Sequence, residues 1–344
     1  MKNADDILAA ARILESGRLV AFPTETVYGL GGDAENPAAV AAIYALKNRP
    51  ASHPLIVHVA SGSDIAYWSD RIPDEARKLM AAFWPGPLTL ILKRASHVLP
   101  DVAGGQDSVG LRCPSHPVAQ ALLGLFKQGR GGVAAPSANR FGHVSPTMAQ
   151  HVRDEFGDDP RLGAILDGGQ SEVGIESTIL DLSRIETAGP VLLRPGKIGA
   201  SQIAEVIGMM PKVPDNGAPR ASGTLASHYA PRTPVAVIPS DKLLQLLVRL
   251  EENGHRVALL HYSSLPASRK MSLAGEVGLY CAPDVYSHQL YASLRKLDRS
   301  GADVILVEAT PETETWKGVN DRLKRAAYNG LGTIEQLAGV KETD

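Results

Sequence analysis

The sequence predicts an α/β protein of two domains, a larger one built on a mixed sheet and a smaller C-terminal one with a Rossmann-like parallel sheet. Three observations predict it. Short apolar runs that end in a polar or Gly/Pro turn recur along the chain, interleaved with segments of helical periodicity. The texture breaks once, between Gly208 and Pro234, where five prolines and three glycines fall in one stretch. The length, 344 residues, is that of about two domains.

The elements follow in order. A helix is expected over Asp5–Ser16, where Ile7, Leu8, Ala11 and Leu14 recur at helical spacing and Gly17 suits the C-cap. LVAF (Leu19–Phe22) reads as the end of a buried strand, and a helix follows over Pro37–Lys47. LIVHV (Leu55–Val59) is an apolar strand. Asp74–Phe83 is a helix stopped by WPGP at Trp84–Pro87, and LTLILK (Leu88–Lys93) is a strand. Val109–Pro114, Gly132–Ser137, Ala164–Asp167, Ser177–Leu182 and Val191–Gly196 are strands that run into turns, with helices at Val118–Phe126 and Thr147–Glu155 among them. Beyond Pro234, the strands VAVIP, VALLHY, VGLYCA and DVILVEA alternate with helices Lys242–Glu252, Tyr286–Arg299 and Val319–Tyr328. The expected organisation is a first α/β domain over 1–207, a linker over 208–234 and a second α/β domain over 235–344.

Composition narrows the function. Hydrophobic content of 44% and charged content of 21% fit a globular protein with a sizeable core. A net charge of −2 supplies no global field for nucleic acid or an anionic membrane, so any phosphate binding must be local. Cys113 and Cys281 are far apart, which gives neither a disulfide framework nor a metal spacing and fits a reducing compartment. The N-terminal segment carries Asp5, Asp6, Arg12 and Glu15, unlike a signal peptide, and no run of 18 apolar residues occurs. A cytoplasmic protein without membrane association is expected.

The stretch AFPTETVYGLGGDA (Ala21–Ala34) sets two threonines around a glutamate and then three glycines in four residues. Gly29-x-Gly31-x-x-Ala34 matches a loose dinucleotide fingerprint. Six residues separate Phe22 from Gly29, however, and the next strand carries His58 where an acid should hold a ribose. The glycines read instead as a turn where backbone approaches backbone or ligand. Walker, HExxH and CxxC patterns are absent, and no G-x-S-x-G surrounds Ser137 in APSAN. What remains is a set of cations and hydroxyls at strand ends: Lys47, Arg49, Arg112, Arg194, Ser137, Asn139, Ser177 and Thr178. Several such groups flanked by Gly or Pro point to an anionic small molecule.

FPTETVYGLG, KNRPxxxPLIVHV, WPGPLTLIL, VGLRCPxHP, APSANRFGHVSPT, DGG with GIESTILDL, and LLRPG occur together and in order. In this the chain resembles the YrdC/Sua5 family, specifically its two-domain Sua5 type, densely over residues about 10–200 and on through SHYAP into the C-terminal domain. The resemblance implies a YrdC-like twisted mixed sheet. It implies synthesis of threonylcarbamoyl-AMP and pyrophosphate from L-threonine, bicarbonate and ATP, with Mg2+ accompanying ATP and no protein-ligated metal. The product would pass to a tRNA threonylcarbamoyl transferase complex that modifies adenosine beside the anticodon. By the same resemblance Thr26, His58, Arg112, Ser137 and Ser177 would bind threonine, with Thr24 nearby, and Lys47 and Arg49 would be catalytic and meet the phosphates. His53, Asn139, Thr147 and Arg194 would serve the nucleotide, and His228 and Tyr229 would close over ATP. The chain departs from the family at Ala226, where an aromatic is frequent, and at His53, where many members carry asparagine. Two other readings are a carbamoyl transferase and an RNA-binding module. The net charge and the lack of stacking aromatics beside the basic residues make direct tRNA binding weak or absent.

Overall fold

The structure, a computed structural model, describes residues 4–264, 272–328 and 330–338. The outermost residues of the expected domains, 1–3 and 339–344, lie outside that range. The chain divides into two compact units. One comprises the residues up to Phe141 with Ser145–Thr224, and the other comprises Gly142–Val144 with the residues from Leu225 onward.

The first unit contains α1 (Ala4–Glu15), β1 (Leu19–Phe22), β2 (Gly29–Asp33), α2 (Pro37–Lys47), β3 (Ile56–His58), β4 (Ser69–Arg71), α3 (Asp74–Phe83), β5 (Leu88–Arg94), β6 (Ser108–Arg112), α4 (Pro117–Leu125), β7 (Val133–Ala134), α5 (Ala149–Phe156), β8 (Leu162–Ile165), β9 (Thr178–Asp181), α6 (Ile185–Ala188), β10 (Val191–Arg194) and α7 (Ala200–Ile207). Its strands form one mixed sheet in the order β10-β9-β5-β6-β3-β7-β2-β1-β8, with β4 paired to β5. The apolar faces of α2, α3 and α7 pack into the main core with Leu30, Val57, Leu90 and Leu111. α1 and α4 bury Leu14 and Leu122 in a second cluster with Phe22 and Val133.

The glycine run is a strand, not a turn. β2 pairs antiparallel with β1, Phe22 opposite Gly29, and with β7, Gly32 opposite Ala134. Its glycines are small because neighbouring side chains fill the space. A Cβ on Gly31 would lie 2.7 Å from Val133 Cγ1 and 2.8 Å from Phe22 Cε1, and one on Gly32 would lie 3.0 Å from Leu19 Cδ2. Other boundaries move by a few residues. β7 has only two residues of the expected strand over 132–137, β8 starts at Leu162, and Thr147 precedes α5. β4, α6 and α7 have no counterpart among the expected elements.

The second unit contains β11 (Val235–Ile238), α8 (Ser240–Glu252), β12 (Val257–His261), β13 (Gly275–Gly278), α9 (Pro283–Asp298), β14 (Val304–Glu308), α10 (Lys317–Ala326) and α11 (Gly330–Ala338). Its sheet runs β11-β14-β12-β13 with every pairing parallel, as expected of a Rossmann-like domain. The third strand falls at Gly275–Gly278, earlier than VGLYCA, and α11 is an addition to the expected elements. Gly142–Val144 joins this unit: Ala230 N–H donates to Gly142 O at 3.0 Å, and Arg295 donates to Val144 O.

The Pro/Gly-rich stretch is not a free linker. Its first half belongs to the first unit. Leu192 N–H donates to Lys212 O at 2.9 Å. Arg220 N–H donates to Gln106 Oε1 at 2.6 Å, and Arg220 Nη2 donates to Gly104 O at 2.9 Å.

Replacing Gly31 by valine forces two branches into space held by Phe22 and Val133. Gly31→Val is expected to destabilise the protein by about 1–3 kcal/mol, the usual cost of overpacking. Urea denaturation of wild type and variant checks this.

Candidate active site

The termination of α2 places the first two cations. Asn36 caps the helix N-terminus, its side chain accepting from Ala38 N–H at 2.9 Å, and Pro37 follows at the first turn. At the other end Asn48 adopts a left-handed conformation (φ 53°), which turns the chain so that Lys47 and Arg49 leave the helix in different directions. Lys47 is 1% exposed. Its Nζ donates to Ser137 O and Asn139 O, each at 2.5 Å, so two of its three ammonium donors hold the loop after β7. Burial, reinforced by the neighbouring Arg49 charge, pushes the Lys47 ammonium well below its usual range.

Arg49 donates from Nη2 to Pro54 O at 2.8 Å and to Ser222 Oγ at 3.3 Å, and from Nε to His53 O at 3.3 Å. Its guanidinium lies 5.6 Å from the Phe141 ring centroid, and the His53 ring meets the same phenyl edge-on at 5.2 Å. Arg194 closes β10. It donates from Nη1 to Ser222 O at 2.8 Å, and from Nη2 to Ser177 O at 2.9 Å and Ser177 Oγ at 3.1 Å. Ser177 Oγ in turn lies 2.8 Å from Thr89 Oγ1. Ser222, in the stretch read as linker, therefore connects the two arginines.

Arg112 closes β6 opposite His58 of β3 in the parallel register. It donates from Nε to Gly86 O at 3.3 Å, and its Nη2 is 2.7 Å from Glu25 Oε1. His58 is 3% exposed. Burial and then the Arg112 charge lower its imidazole to about 3, so it is neutral near pH 7. Its Nδ1 sits 3.2 Å from Ile56 O, and its ring faces the Phe22 edge at 6.1 Å.

The two threonines form a directed relay. Thr24 Oγ1 donates its one hydrogen to Val27 O at 2.6 Å. It therefore accepts from Thr26 Oγ1 at 2.9 Å. Thr26 spends its proton in this way, and its lone pairs remain to accept from an N–H donor. Asn139 and Thr147 are also buried. Asn139 Nδ2 donates to Arg140 O at 2.7 Å, and Thr147 N–H donates to His151 Nδ1 at 3.2 Å. Beside them Ser145 Oγ donates to Glu176 Oε1 at 2.5 Å.

The registers show which ends of the sheet the groups occupy. The groups do not share one end of the sheet. Arg112, Ser177 and Arg194 flank one end, while Ser137, Lys47 and Arg49 flank the other. β3 has only three residues, so its ends are roughly 10 Å apart. Long side chains span that distance, and Ser222 joins the two sets. His228 and Tyr229 lie in the second unit. Tyr229, at φ 60°, is 1% exposed, with the Arg322 guanidinium 5.4 Å from its ring centroid and the Tyr291 ring at 5.8 Å. Glu25, Ser222 and Phe141 do not stand out from sequence alone. Glu25 carries a signal, lying between the two threonines, and so does Phe141, inside the APSANRFGHVSPT motif.

Among the described residues no group of three or more His, Cys, Asp or Glu is placed to hold a metal ion, and no helix is long and apolar enough to cross a membrane. Residues 12–196 match the Sua5/YciO/YrdC family, described as "Telomere recombination", and residues 198–328 match the family described as "Threonylcarbamoyl-AMP synthase, C-terminal domain". The chain belongs to the Sua5/YrdC family. Among its relatives is a threonylcarbamoyl-AMP synthase of Pyrococcus abyssi, 39% identical over 93% of this chain and 94% of that one. Another, of Bacillus subtilis, is 38% identical over 94% of each. The solved structure of P. abyssi Sua5 complexed with L-threonine is similar with a TM-score of 0.84 and 36% identity, covering 94% of this chain and 95% of that one. The family's two-domain form thus spans both units.

The His58 environment makes a prediction. The folded-state value, about 3, lies below the usual 6.5. The unfolded chain therefore takes up a proton here that the folded chain refuses. This contribution to stability is complete above pH about 6.5 and is lost as pH falls from there towards 3. The His58 imidazole resonances are expected to stay in the neutral form throughout an NMR titration from pH 8 to pH 5.5.

Proposed function

We propose that this chain is a threonylcarbamoyl-AMP synthase, condensing L-threonine, bicarbonate and MgATP to threonylcarbamoyl-AMP and pyrophosphate. The observation that carries the reading is the likeness, over nearly the whole chain, to a Sua5 structure complexed with L-threonine. Relatives named threonylcarbamoyl-AMP synthase support the same activity. The product serves threonylcarbamoylation of the adenosine beside the tRNA anticodon, completed by a separate transferase complex.

The chemistry divides among the residues. The Thr26 lone pairs accept from the threonine amine and orient its nitrogen towards CO2, which bicarbonate gives by losing hydroxide; that hydroxide takes the proton the amine releases as the N–C bond forms, and leaves as water. The resulting carbamate oxygen attacks the α-phosphorus in line, and pyrophosphate departs. Arg112 receives the threonine carboxylate, with neutral His58 and Ser177 beside it. The remaining Lys47 donor, Arg49 and Arg194 neutralise charge on the phosphates, with Ser137, Asn139, Thr147 and His53 around the nucleotide. His228 and Tyr229 are assigned to the nucleotide by family resemblance. Such a reaction needs fixed donors where charge develops more than a protein nucleophile. Mg2+ arrives with ATP and is held by its phosphates. Glu25 and Glu176 are already engaged by Arg112 and Ser145.

The test is pyrophosphate release. Release is expected only when threonine, bicarbonate and ATP are all present. Lys47→Ala, which frees the loop at Ser137 and Asn139 and deletes a phosphate donor, is expected to cut kcat about a hundredfold or more. Release from ATP that ignores threonine and bicarbonate would rule the reading out.

A further inference from the structure

Glu25 is as buried as the threonines on either side of it. Its Oε1 lies 2.7 Å from Arg112 Nη2, and its Oε2 accepts Ser115 N–H at 3.1 Å. Its main-chain carbonyl accepts Val173 N–H at 2.7 Å. One residue thus joins the Thr24–Thr26 segment, the turn after β6 and the loop before β9. A buried ion pair of this kind is weak evidence for stability, because an apolar pair of equal volume often serves as well. What it supplies is direction and charge balance.

Direction follows from the fork of the guanidinium. Arg112 donates from Nε to Gly86 O, its buried Nη2 faces Glu25 Oε1 as an ion pair without hydrogen-bond geometry, and its Nη1 has no partner among the described residues. That edge is the one left for a ligand. Charge balance sets what that edge can hold. Arg112 is offset by a full carboxylate. A polyanion gains little there, whereas a monoanion in the right geometry can still use Arg112.

We propose that Glu25 is the specificity-determining and positioning residue of the amino-acid subsite. It aims Arg112 Nη1 at the substrate carboxylate and, by offsetting the Arg112 charge, keeps phosphate groups off that subsite. Through its peptide it also fixes the hydroxyl relay that meets the amine, so one residue registers both ends of the amino acid. This rests on the assignment of Arg112 and Thr26 to threonine made above.

Glu25→Gln keeps the shape and removes the charge. Its amide oxygen can still accept Ser115 N–H but sets no charge opposite Arg112. The variant is expected to raise KM for L-threonine about tenfold, the worth of one charge-assisted hydrogen bond, with KM for MgATP unchanged. Millimolar inorganic phosphate, present at fixed MgATP and bicarbonate, is expected to compete with threonine in Glu25→Gln and not in wild type. Glu25→Asp retains the charge but shortens the reach. It is expected to raise the threonine KM without creating phosphate competition, and it serves as the second variant should Glu25→Gln not fold. An unchanged threonine KM with no phosphate competition in Glu25→Gln overturns the proposal. A parallel rise in both KM values with a fall in Tm does so too, since it marks a purely structural role. Arg112→Ala separates the two layers. If it raises the threonine KM while Glu25→Gln does not, only this inference fails. If it leaves that KM unchanged, the Arg112 assignment itself fails.

Discussion

The first unit is organised around the cost of taking cations out of water. Lys47, Arg49, Arg112 and Arg194 are each at most 6% exposed. A buried charge is tolerated only where hydrogen bonds or an opposite charge replace its hydration. All four draw on main-chain carbonyls or hydroxyls, and these come from widely separated parts of the chain: Pro54, Gly86, Ser137, Asn139, Ser177 and Ser222. Meeting those donors dictates where the loop after β7, the turn before β3 and the segment around Ser222 must lie. The geometry of the loops is a consequence of the charges they solvate.

The sheet beneath is shaped by a second constraint, close packing. β2 runs between β1 and β7, and the space over its glycines is taken by Phe22, Val133, Leu19 and Ile43. Three glycines in four residues ordinarily signal a turn, and nothing local distinguishes a turn from a strand stripped of side chains for its neighbours. The alternating strands and helices of both domains, by contrast, carry their own periodicity and are legible from Leu19 to Val307. Short elements such as β4 and α6 are not, because three or four residues cannot display a period.

The site is legible to the extent that its residues sit in motifs. The cations and hydroxyls stand out at strand ends, and the family pattern orders them. The partners of those groups are hidden for a physical reason. A main-chain carbonyl has no residue identity, so the acceptors for Lys47 and Arg194 leave no trace in composition. Ser222 is hidden by its surroundings, a proline- and glycine-rich stretch that looks like solvent-exposed linker until Arg49 and Arg194 are seen to meet on it. Tyr229 is expected from the family resemblance to close over ATP, and the partners of its ring, Arg322 and Tyr291, are likewise not marked in the sequence.

The assignment of Gly142–Val144 to the second unit means that the polypeptide passes between the two bodies three times: after Phe141, after Val144 and after Thr224. A protease that cut only at the Pro/Gly-rich stretch would leave the first fragment carrying a tripeptide whose partners, Ala230 and Arg295, belong to the second. Truncation and circular permutation of this protein are constrained by that small detour as much as by the Pro/Gly-rich stretch.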